Sequence, residues 1–69
     1  MSDKVKFIRL HDDARDKVCL INVDHISVVH YDWDSNATMI VFSSEDTFSV
    51  RESVEEVESL IARANYLFR

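Results

Sequence analysis

The stretch NVDHISVVHYDWDSNATMIVFSSEDTFSVRESVEEVESLI, residues 22–61, decides the fold. It reads as three short strands (about 26–31, 38–43 and 47–51) that run straight into a helix at about 54–66. The helix has the clearest signature. Ser53 stands at the N-cap position and Glu56 three residues on, the spacing of a capping box. Val54, Val57, Leu60, Ile61, Ala64 and Leu67 then recur at helical spacing as one apolar stripe. Glu55, Glu56 and Glu58 gather at the positive end of the dipole, Arg63 and Arg69 at the negative end.

Two further strands precede this stretch. Residues 5–10 (VKFIRL) and 18–23 (VCLINV) are short β-forming runs, separated by a polar loop whose aspartates supply turn chemistry. Asn22-Val23-Asp24-His25 makes a corner before the third strand. Asp32 to Asn36 and Ser44 to Asp46 are the remaining turns. The chain has no glycine, so Asn36 is the best residue for a left-handed backbone. The expected architecture is a single α+β domain: a five-stranded antiparallel β-meander closed by one C-terminal amphipathic α-helix.

Strands two to four carry apolar side chains on both faces, whereas a solvated face would alternate with polar residues. Either the sheet curls into a small barrel, or its second face is buried against another copy. A 69-residue chain favours the second arrangement. It buries only about 60% of its unfolded surface alone, and its one cysteine, Cys19, excludes an internal disulfide. Homo-oligomerisation is therefore expected, with Val29, Val41 and Met39 as residues of that interface.

Composition narrows the function. Without glycine there is no phosphate-binding loop, nucleophile elbow or dinucleotide fingerprint. Thirteen acidic against eight basic residues give a net charge of −5, which disfavours direct contact with nucleic acid. No run approaches the roughly 20 apolar residues of a membrane span, and no secretory signal is evident, so a cytoplasmic protein without membrane insertion is expected. His11-Asp12-Asp13, Asp24-His25 and His30-Tyr31-Asp32 contain metal-ligating side chains. Neighbouring residues of a strand or turn diverge, however, so none forms a site by itself. Cys19 lies within an apolar run, the setting of an inert thiol. Neither catalytic residues nor a cofactor is assigned.

Trp33, the only tryptophan, sits at a turn between Asp32 and Asp34 with Tyr31 nearby. Such an aromatic either folds over a sheet edge or serves as a contact for a partner or a planar ligand. Tyr31, Trp33 and Arg51 are the residues to watch for a ligand between subunits. Glu52, Glu55, Glu56 and Glu58 resemble a phosphate track, although a charged helical run is more often a solvated face.

From Phe7 to about Ile61 the chain resembles the small FlbD/SwrD-type flagellar and swarming-motility proteins. The features are Phe7-Ile8-Arg9-Leu10-His11, the corner Asn22-Val23-Asp24-His25-Ile26, and the strand-to-helix passage Val50-Arg51-Glu52-Ser53-Val54-Glu55-Glu56-Val57. This resemblance implies a bacterial cytoplasmic accessory protein that acts through protein contacts and catalyses nothing. Residues 21–60 are also similar to the second half of LytTR-type domains, which read DNA with basic loops; here those loops are acidic. The leading expectation is a self-associating adaptor with a protein partner. The alternative is a ligand-binding or inhibitory module, such as a phage or mobile-element anti-host factor. It would bind a nucleotide-like molecule or a host protein, or act as an acidic nucleic-acid mimic.

Overall fold

The computed structural model describes residues 6–66. Along the chain it runs β1 (Phe7–His11), β2 (Val18–Asn22), a 3-10 turn (Val23–His25), β3 (Ile26–Asp32), β4 (Ala37–Phe42), β5 (Thr47–Val50) and α1 (Val54–Tyr66). The class is α+β with antiparallel strands, as the sequence predicts. Val5, Leu67 and Arg69 lie outside the described residues.

The strands form two sheets, β1-β2 and β3-β4-β5, and not one continuous meander. The break falls at the corner. Asn22 caps the 3-10 turn, its side-chain oxygen accepting from the Asp24 amide at 3.0 Å. That local bond removes Val23 from the second strand and re-aims the chain before β3. The sheets meet elsewhere: Asp12 bridges Val50, the Asp13 amide donates to the Ser49 carbonyl and the Arg51 amide to that of His11. The end of β1 is thus stitched to the end of β5.

Both sheets and the helix contribute to one core. Ile8 and Leu10 come from β1, Ile21 from β2, Ile40 and Val50 from the second sheet, Val57 and Ala64 from α1. Leu10, Ile40, Val50 and Val57 are fully enclosed. Val29, Phe42 and Phe48 pack against this cluster from the side.

A register shift between Ile26 and Val28 sets which face of β3 is buried. An extra residue in one strand reverses the side-chain phase beyond it. Ile26 therefore opposes Phe42, and Val29 opposes Ile40, all turned towards the core. Val28 opposes Val41 and His30 opposes Met39 on the other face. Val29 thus stands on the opposite face from Val41 and Met39, which uninterrupted alternation would not give.

The turns solve the lack of glycine in three places. Asp16, Asn36 and Glu45 take positive φ of 58°, 55° and 75°. Asn36 is the position expected from its side chain, and Asp16 shares that tolerance. Glu45 has no such local aid. The Asp12 carboxylate holds the first loop by accepting from the Ala14 and Arg15 amides at 2.8 and 3.2 Å.

Candidate functional site

The β3-β4 turn and the start of α1 enclose an open cleft of about 460 Å³. Three of the residues singled out in the sequence converge there: Tyr31, Trp33 and Arg51. They come from the end of β3, the turn after it and the link between β5 and α1. Val50, Ser53 and Val54 also line it, as do Asp13 and Glu55.

Trp33 does not fold back over a sheet edge; it is 80% exposed. Its ring meets Tyr31 edge-on, with centroids 4.7 Å apart and planes at 73°, the T-shaped contact that aromatic quadrupoles favour. Tyr31 is fixed from its other end, its hydroxyl donating to Asn36 Oδ1 at 3.3 Å. The left-handed backbone of Asn36 thus carries an aromatic as well as a turn.

Asp32 holds the loop that presents Trp33. One carboxylate oxygen accepts from the Ser35 hydroxyl at 2.8 Å, the other from the Asp34 amide at 3.3 Å. The Ser35 hydroxyl, with help from the Asp34 amide and the nearby His30, keeps the Asp32 carboxyl below its ordinary range against the opposing effect of desolvation. Asp34 is exposed beside the indole. Arg51 is not a lone cation, since it pairs with Asp16 at 2.8 Å. The cleft lining thus combines two aromatics, the two carboxylates of Asp13 and Glu55, and one paired cation, Arg51.

A second polar cluster lies where β1 meets the helix start. Glu52 accepts from the His11 backbone amide at 2.9 Å and contacts His11 Nδ1 at 2.7 Å. Burial raises the Glu52 carboxyl pKa, but the bonds from the His11 ring and amide, together with its own amide, outweigh that and leave it lowered. Sequence reading misses this pair because its members stand 41 residues apart. Only the β1-β5 junction brings them together. It also changes the meaning of the glutamate run, because Glu52 turns inward to His11 and Glu56 caps Ser53. Among the described residues no three histidine, cysteine or carboxylate side chains gather as a metal-holding group, and no helix is long and apolar enough to cross a membrane.

Of the remaining candidates, Val41 and Met39 are half-buried on the outer face of β4, between Val28 and Thr47 and between His30 and Ser49. No protein-family model matches the chain, and neither does any curated protein or solved structure.

Proposed function

We propose that this protein is a small self-associating accessory protein that acts through protein contacts, with the Tyr31–Trp33 cleft as its docking site. The observation that carries this reading is Trp33, 80% exposed yet braced edge-on by Tyr31 beside an open cleft. A large aromatic held rigid in water is the kind of side chain that dominates protein interfaces, because little rotamer entropy is lost on docking.

The chemistry of the cleft favours a cationic side chain from the partner. An indole face attracts lysine or arginine, Asp13 and Glu55 in the lining supply negative charge, Arg51 there is already paired with Asp16, and Asp34 follows Trp33 in the chain. A motility role, as in the FlbD/SwrD-type proteins, is the cellular setting that the resemblance suggests for such an adaptor.

Since Trp33 is the only tryptophan, its fluorescence reports the site directly. Titration with lysine- or arginine-bearing peptides should perturb its emission in a salt-sensitive way, whereas glutamate-bearing peptides of equal length should not. In the same titration followed by NMR, Trp33→Ala should abolish the shifts around Tyr31 and Val54. Equal response to cationic and anionic peptides, or shifts that survive Trp33→Ala, would overturn the assignment.

A further inference from the structure

We infer that the free edge of β2 pairs antiparallel with β2 of a second copy about a two-fold axis at Leu20, joining two β1-β2 sheets into one four-stranded sheet. The inference deepens the self-association proposed above by assigning it a strand, a register and a central residue.

The hydrogen-bond phase of the β1-β2 hairpin defines the edge. The Val23 amide donates to the Lys6 carbonyl at 2.9 Å and the Asp12 amide to the Lys17 carbonyl at 2.8 Å. Bonded pairs alternate along an antiparallel ladder, so with Ile8 opposite Ile21 and Leu10 opposite Cys19, those are the bonded pairs between. The backbone amides and carbonyls of Val18, Leu20 and Asn22 consequently face away from β1. Among the described residues no strand pairs with that side, and Val18 and Leu20 are 53% and 60% exposed.

Strand edges left in water are normally blunted by charge, proline or a bulge. β3, one outer strand of the other sheet, follows that rule, with its register shift between Ile26 and Val28 and its terminal Asp32, and the end of β5, the other outer strand, is tied to β1. β2 does not. Val18-Cys19-Leu20-Ile21-Asn22 has no charged residue and no proline, and its register with β1 is unbroken.

The same strand is suited to itself. With Leu20 opposite its own copy, Val18 falls opposite Asn22 on each side of the axis. All three pairs belong to the bonded phase, giving about four new backbone bonds, since the Asn22 carbonyl already accepts within the 3-10 turn that Asn22 caps. No like charges face one another within the strand, which matters between two copies that each carry a net charge of −5. Phe7, opposite Asn22 in the hairpin, is 51% exposed and extends the apolar surface on the face of Leu20 and Val18.

The test combines sedimentation with directed cross-linking. In a Cys19→Ser background, Leu20→Cys should form a disulfide-linked dimer under mild oxidation. A bonded antiparallel pair has Cα atoms about 5.5 Å apart, within disulfide reach. Phe7→Cys, on the same face but away from the axis, should cross-link much more slowly. Leu20→Lys, which sets two cations opposite each other, should weaken the wild-type dimer roughly tenfold or more with an unchanged circular dichroism spectrum. A wild-type protein that sediments as a monomer across a concentration series would overturn both this pairing and the self-associating reading. A wild-type dimer whose Leu20→Lys variant associates equally well, or whose Leu20→Cys variant links no faster than Phe7→Cys, would overturn the β2 edge alone.

Discussion

At the residue scale, Glu52 ties the ends of the fold together. Its side chain is 16% exposed and satisfies both the His11 amide and the His11 ring. Removing the carboxylate leaves a part-buried amide without its acceptor, so Glu52→Ala should destabilise the protein by about 1–3 kcal/mol. The same pair gives a pH dependence of definite sign. The folded-state pKa of Glu52 is lowered from its ordinary value of 4.5, so the folded protein holds this proton less tightly than the unfolded chain. Its contribution is fully present above pH 4.5 and is lost as pH falls through the lower, folded-state value. Urea unfolding followed between neutral and acid pH should show stability falling in that window, and Glu52→Gln should flatten that part of the slope. An equal acid slope in both proteins would show that other carboxylates control it. The neighbouring Glu56 illustrates how position assigns roles to identical side chains. It bonds the Ser53 amide at 2.8 Å and leaves the helix face to its exposed neighbours Glu55 and Glu58.

At the scale of elements, the helix and the bulged strand show opposite relations to sequence. The capping box is reciprocal: Ser53 Oγ accepts from the Glu56 amide at 3.0 Å while Glu56 bonds back to the Ser53 amide. All of its information lies within four residues, so α1 begins and ends where the sequence predicts. Ser53→Ala should cost roughly 1 kcal/mol, which in a domain of this size lowers the melting temperature by about 4–8 °C. Calorimetry of this single variant checks it, and Ser53→Asp should restore most of the loss. The strands were legible to within a residue or two at their ends, because β-branched and aromatic runs bounded by turn residues are also local signals. β3 departs in its phase. Nothing within ISVVHY marks the register shift after Ile26, which arises from how β3 meets β4. Strict alternation therefore puts Val29 beside Val41, whereas the structure sets them on opposite faces.

At the scale of the whole molecule, the core is small and shared. Ile40 is fully enclosed at the centre of the three-stranded sheet, in a cluster with residues of β1, β2 and α1. Ile40→Ala should cost about 2–5 kcal/mol, a large part of what a chain of this length has to lose. Chemical denaturation should show a midpoint near zero or a population already unfolded, whereas Glu58→Ala on the exposed face of α1 should change stability by less than about 0.5 kcal/mol. By itself the sequence determined the α+β class, five antiparallel strands, the capped helix and the left-handed Asn36, since each is written in adjacent residues or in a short period. It also marked Tyr31, Trp33 and Arg51 as residues to watch. Only the tertiary structure decided that the strands divide into two sheets joined at Asp12 and Val50, that Glu52 closes on His11, and that those three side chains line one cleft. The physical reason is range. Caps, turns and periodicity are fixed by contacts a few residues apart, whereas sheet order, bulge phase and the meeting of distant side chains depend on which surfaces bury one another.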